Sequence, residues 1–285
     1  MYSRLLHSVV GLFTLAVVAA ATAPALATVI TSISDTAYLN DRNSHVDFSP
    51  GTGVISWLVD DIQQLKQQWF YYRLDGMTQE SPLGNLGFVK GKTNNADFDP
   101  GEETLHAVYG NEAAFSVALT YVLSGGLTGS RQSDLQETIA FHNNTGQAVH
   151  LQFFQYCDFD LSGTPDDDTV QVLNANTVSQ RDTAVMVAET VVTPSPVRTE
   201  VGKYDSTLRK LNDGDANILD NTKGPVGPDD VTWAFQWDLT VPAYSSVQIS
   251  KDKNMVPEPA TIGLMGLGLV VAAVTRRRSR MVRHV

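Results

Sequence analysis

"VTWAFQWDL", residues 231–239, decides how the rest of the chain is read. Val231, Trp233, Phe235, Trp237 and Leu239 fall on one side of a two-residue repeat, and Thr232, Ala234, Gln236 and Asp238 on the other. A strand turns successive side chains to opposite faces, whereas a helix repeats every 3.6 residues. The stretch therefore reads as a strand. Its tryptophan face enters a core, and its polar face meets water or a second layer. The same alternation recurs in "FSVALTYVL" (115–123), and "VISWLV" (54–59) and "AVMVAETVV" (184–192) are further strand candidates. "KQQWFYYRL" (66–74) and "LQFFQYCDF" (151–159) are aromatic on both faces. Turn signals separate these runs at Gly125-Gly126, Asn143 to Gly146, Ser162 to Pro165 and Asp213-Gly214. Before the tail, only "DDIQQLKQ" (60–67) reads as helical. Many strands joined by turns rather than crossover helices predict an all-β fold, an antiparallel β-sandwich or jelly-roll-like domain.

The two ends of the 285-residue chain differ from its middle. Residues 1–27 read as a signal peptide, with Arg4 before an apolar run and Ala25 and Ala27 framing the cleavage site for signal peptidase. At the other end, the uncharged run 260–275 follows Pro259, and a basic tail (276–285) follows the run. As a helix, the 15 residues 260–274 would span about 22 Å, at about 1.5 Å per residue. That is short of a bilayer core of about 30 Å, which snorkelling arginines and local thinning accommodate. A single transmembrane helix is expected there. Arg276, Arg277, Arg278 and Arg280 act as its stop-transfer block on the cytoplasmic side. The segment between is expected to be one passenger domain over 28–250, with a linker over 251–259.

That segment is strongly acidic. The chain has 20 basic and 31 acidic residues; Arg4, five tail arginines and Glu258 lie outside 28–255, leaving 14 basic against 30 acidic and a net charge of −16. Such a field repels phosphate backbones, so nucleic acid is not an expected partner. The single cysteine, Cys157, excludes an intrachain disulfide and reads as a buried strand residue.

Val256, Pro257, Glu258 and Pro259, then a short apolar helix, then an arginine cluster at the chain end together resemble the PEP-CTERM sorting signal. The likeness covers about 255–280, and the order of the three parts is what makes it specific. It implies a Gram-negative bacterial exporter and an exosortase-type membrane protease that processes the tail. It also implies an association with extracellular polysaccharide and biofilm matrix. The central region looks like passenger domains found with such tails, for which no activity carries over. Physically, the two prolines hold Glu258 extended at the membrane face, where a protease can grip it.

Catalytic motifs are missing from the passenger: there is no G-x-S-x-G, H-E-x-x-H or P-loop. It is read as not an enzyme. His45, His106, His142 and His150 show no metal spacing, although His142 and His150 flank a hairpin that could bring them together. No cofactor is expected. Calcium keeps an opening at two acidic loops: Asp166, Asp167 and Asp168 with Asp158 and Asp160 before them, and Asp213, Asp215 and Asn217. The second departs from an EF-hand at Ile218 and Gly224. Trp69, Tyr71, Tyr72, Trp233 and Trp237 are either core or a sugar-stacking platform, and their strand periodicity favours core. The expected role is an exported cell-envelope or matrix protein, structural or adhesive. The alternatives are a carbohydrate-binding module of the exopolysaccharide matrix and, behind it, a glycoside hydrolase with two convergent carboxylates.

Overall fold

The computed structural model describes residues 27–97 and 99–258. The expected signal peptide, apart from Ala27, and the apolar and basic tail segments lie outside the described residues. In chain order the elements are β1 (Val29–Ile30), β2 (Ala37–Asp41), β3 (Ser44–Ser49), β4 (Gly53–Val59), β5 (Ile62–Leu74), β6 (Ser81–Pro82), β7 (Phe88–Asn94), β8 (Thr104–Gly110), β9 (Phe115–Gly125) and β10 (Ser133–Asn143). They continue with β11 (Val149–Phe159), β12 (Asp168–Asn174), β13 (Thr177–Arg181), β14 (Val185–Thr193), β15 (Arg198–Lys203), α1 (Ser206–Lys210), β16 (Val226–Asp229), β17 (Val231–Val241) and β18 (Ser245–Pro257).

Two antiparallel sheets form a β-sandwich. The first has the order β1-β7-β8-β9-β10-β18-β14-β13-β12-β16. The second runs β15-β17-β11-β5-β4-β3-β2, with β6 beside β5. The faces meet through aromatic contacts. Phe141 of the first sheet packs edge-on against Phe153 of the second, at 4.9 Å between ring centroids. Tyr121 lies 5.5 Å from Phe48, and Trp57 donates its indole N–H to Ser133 Oγ at 3.1 Å.

The expected parity of 231–239 holds, but its polar face is not wet. Thr232, Ala234 and Gln236 are buried along with Trp233, Phe235 and Trp237, and within 231–238 only Asp238 is exposed. The cover is the loop after α1. Leu211 and Leu219 are buried there, and the Leu219 N–H donates to Gln236 Oε1 at 2.9 Å. Tyr71 and Phe154 are buried as well. This explains strands that are aromatic on both faces.

Two expectations need correction. Residues 60–67 are not helical: Val59 pairs with Ile62 across a hairpin whose turn is Asp60-Asp61. Both turn residues have positive φ (52° and 61°), as a two-residue primed turn requires, and aspartate tolerates that region. Residues 251–257 are not a linker. They complete β18, pairing Lys253 with Leu135 and Glu189, and Pro257 with Val185. Their charges suggested solvent; instead Lys251 and Lys253 point into the core.

Candidate functional site

At the centre of the sandwich lies an ionic cluster. Lys251 and Lys253 project inward from β18, Glu137 from β10 and Glu189 from β14, and none is more than 2% exposed. Both lysines donate to Glu137, and Lys251 Nζ lies 3.1 Å from Glu189 Oε1. The opposite sheet supplies neutral donors. Gln68 Nε2 reaches Glu137 at 2.8 Å, Gln155 Nε2 reaches both oxygens of Glu189 at 2.8 and 2.7 Å, and Trp233 Nε1 reaches Glu189 Oε2 at 3.2 Å. Burial opposes the Glu189 charge, but Lys251 and Lys253 outweigh it and hold its carboxyl below the usual range. Burial likewise opposes the Lys253 charge, and Glu137 and Glu189 raise its pKa in spite of it. At Lys251 burial prevails and the pKa falls, while its ammonium lies 5.3 Å from the centre of the Phe70 ring. Burial, then Glu189, push the neighbouring Cys157 thiol well up, and the side chain has no exposed surface. Two cations balance two anions in this region, which is enclosed on every side.

The outer face of the second sheet is open. A cleft of about 460 Å³ is lined by Arg73, Asp75, His150, Gln152, Asp238 and Thr240 among others. Register creates it: Gln152 sits between Arg73 of β5 and Asp238 of β17, and His150 sits opposite Thr240. The Arg73 guanidinium donates to Glu80 and Gln152, which fixes its fork. His150 Nδ1 and Thr240 Oγ1 are 2.8 Å apart. The result is a row of donors and acceptors suited to a hydroxyl-rich ligand. Sequence reading missed this row because its members are about eighty residues apart (Arg73 and Gln152 by 79). The only signal was polar residues at equal parity on aromatic strands.

The residues singled out from sequence fall as follows. Trp69, Tyr71, Tyr72, Trp233 and Trp237 are all buried, so they are core and form no sugar-stacking platform. His142 and His150 lie in different sheets and do not converge. Asp213 accepts from the backbone of Asp215 and from Asn217 Nδ2, which closes that loop on itself. Asp168 is fully buried and accepts from Leu161 N–H and Gln180 Nε2, while Asp167 accepts from Thr164. Asp158 and Asp160 come together with Asp230 rather than with Asp166 to Asp168. In the sorting motif, Val256 pairs with Met186, Pro257 with Val185, and the Glu258 N–H donates to Ala184 O at 2.9 Å. Pro259, Arg276, Arg277, Arg278 and Arg280, like Ala25, lie outside the described residues. Among the described residues no helix is long and apolar enough to cross a membrane.

The chain matches the PEP-CTERM protein-sorting motif over residues 256–278. It therefore carries a signal of the kind its tail resembles, one that implies export, a membrane-held precursor and processing by exosortase. No curated protein matches it by sequence. Among solved structures it is similar to a bacterial glucoamylase complexed with acarbose, at 11% identity and a TM-score of 0.54, over 86% of this chain and 35% of that one. The chain thus spans about a third of the glucoamylase's length. It is also similar to a galactose mutarotase related enzyme from Lactobacillus acidophilus, at 10% identity and a TM-score of 0.47, over 79% of this chain and 97% of that one. At such identities the glucoamylase likeness is one of fold.

Proposed function

We propose that this chain is an exported cell-surface or matrix protein whose sandwich is a non-catalytic, structural or adhesive passenger. The observation that carries the reading is the junction at 256–258. The sorting motif begins inside β18, so the folded passenger presents its processing signal at the end of a paired strand rather than on a free tether. Signal peptidase would remove residues 1–27, and exosortase would act at the sorting motif. The inward orientation of Trp57, Trp69, Trp233 and Trp237 supports a passenger built for cohesion. The test is Glu258→Ala in a strain that carries the processing enzyme. Membrane-held precursor should accumulate while the passenger stays folded; normal processing and release would refute the reading.

The cleft beside Arg73 favours a second reading, a carbohydrate-binding module of the exopolysaccharide matrix. Its fixed guanidinium, amide and carboxylate would hydrogen-bond sugar hydroxyls without stacking. Retention on immobilised exopolysaccharide that Gln152→Ala abolishes would move the reading to this class.

A further inference from the structure

Two groups of three aspartates bring carboxylate oxygens within 4.8 Å of one another among the described residues: Asp41, Asp97 and Asp99, and Asp158, Asp160 and Asp230. Two oxygens on one Ca²⁺ lie no more than about 5 Å apart, since Ca–O distances are about 2.3–2.6 Å. Both groups meet that span. They differ in what already satisfies them.

The first is partly satisfied by its own chain. Arg42 Nε lies 2.8 Å from Asp99, and Asp41 Oδ2 accepts from the Gly125 N–H at 2.6 Å. Asp97 Oδ1 accepts from the Asp99 N–H at 2.7 Å. The second has no such partner. Asp158 is 3% exposed, and its Oδ1 is buried without a hydrogen bond. Its Oδ2 has one loose contact, the Tyr156 hydroxyl at 3.5 Å. Asp230 Oδ1 is also buried and unpartnered. Thr232, directly opposite Asp158 in the β11–β17 ladder, is fully buried and its Oγ1 has no partner. Leaving one polar atom buried and unpaired is costly, and native structures rarely do so. Here two such oxygens belong to the aspartate group, and the third belongs to the residue that faces Asp158 across the ladder.

We propose that Asp158, Asp160 and Asp230 bind a divalent cation of the calcium type, with the Thr232 hydroxyl as a further oxygen ligand. The donor set is all oxygen, which suits a hard cation and offers nothing to a soft one. Backbone geometry builds it. The bulge between Asp158 and Phe159 turns the end of β11, bringing Asp160 round toward Asp158, and Asp230 stands just before β17. Lys66 attracts all three carboxylates through its field but forms no salt bridge with them among the described residues. A bound cation would join the start of β17 to the end of β11.

The full chain, purified in detergent and dialysed against EDTA, tests this. Calcium should raise its melting temperature and bind with a dissociation constant in the range of extracellular modules, about 0.1–1 mM. Terbium should give emission sensitised by Tyr156, which calcium displaces. Asp160→Asn and Asp230→Asn, both at partly exposed positions, should each weaken binding at least about tenfold. Asp97→Asn should leave it unchanged. No melting shift and no sensitised emission up to about 10 mM calcium, roughly ten times the weak end of that range, would overturn the proposal. So would an undiminished response in the Asp160→Asn/Asp230→Asn double variant.

Discussion

The centre of the sandwich and the rim at Asp158 both bury carboxylates, and they treat them in opposite ways. At the centre, Glu137 and Glu189 face Lys251 and Lys253, and the opposite sheet supplies Gln68, Gln155 and the Trp233 indole. At the rim, Asp158, Asp160 and Asp230 face one another, with Lys66 acting only at a distance. Asp158 is buried as deeply as the central carboxylates, while Asp160 and Asp230 are partly exposed; the sharper difference is balance. A balanced buried cluster is a device of folding. It fixes register, because slipping β18 by one residue would turn both lysines out and bring Asp252 in. An unbalanced one is a place where something from outside completes the charge.

The largest effect should come from unbalancing the centre. Lys253→Met leaves two buried carboxylates with one cation, and breaking a buried pair costs about 3–5 kcal/mol. Urea denaturation should show that loss. Replacing Glu137, Glu189, Lys251 and Lys253 together by leucine or methionine should recover part of it, because an apolar core removes the unbalanced charge but leaves Gln68, Gln155 and the Trp233 indole without their acceptors. If the fourfold variant is as unstable as the single one, the centre is not a self-contained unit.

Close behind comes ordinary packing next door. Trp237 is 1% exposed, packs against Phe153 and Phe235, and donates to Pro194 O at 3.0 Å. Trp237→Ala should cost about 3–5 kcal/mol by the same measurement. A near-native melting curve would return the ring to the surface and reopen the sugar-platform reading.

A smaller, pH-dependent effect sharpens the contrast. Asp168 is buried with two donors but no cation, and burial, against the bonds from Leu161 and Gln180, pushes its pKa up to about 7. Unfolded, it titrates near 3.9. Between about pH 4 and 7 the folded protein keeps a proton that the unfolded chain has released, so stability falls as pH rises through that window. Asp168→Asn should flatten the pH dependence of the urea midpoint in EDTA. An unchanged slope would show that Asp168 is ionised in the fold. The smallest effect belongs to the surface. Lys90 and Glu112 pair at 2.8 Å with half their side chains in water. Glu112→Ala should change stability by less than about 1 kcal/mol, within error of a melt.

The alternation in "VTWAFQWDL" carried the sandwich, because a core face leaves a two-residue period in any one strand. It could not tell that Thr232 and Gln236 are covered, since the covering loop is about twenty residues away (Leu219 and Gln236 are 17 apart) and has no period. Lys251 and Lys253 looked like a solvated linker because their partner Glu137 lies 114 residues before the nearer of them. Residues 60–67 looked helical because the turn at Asp60-Asp61 interrupts the alternation. The pairing of Asp158 with Asp160 was legible within β11 and its exit. Asp230 was not, because only the β11–β17 register brings it near. The sorting motif over 256–278 was legible as an ordered pattern, since sorting signals are read as linear sequence.

One arrangement also has a bearing on time. β18 is the last strand of the described chain, yet it sits between β10 and β14 and joins the two parts of the larger sheet. A chain made and threaded through a membrane from its N-terminus delivers that strand last. Without it β10 and β14 lose the strand that joins them, and Glu137 and Glu189 lose both lysines. Closure of the larger sheet therefore depends on the residues that immediately precede the rest of the sorting motif.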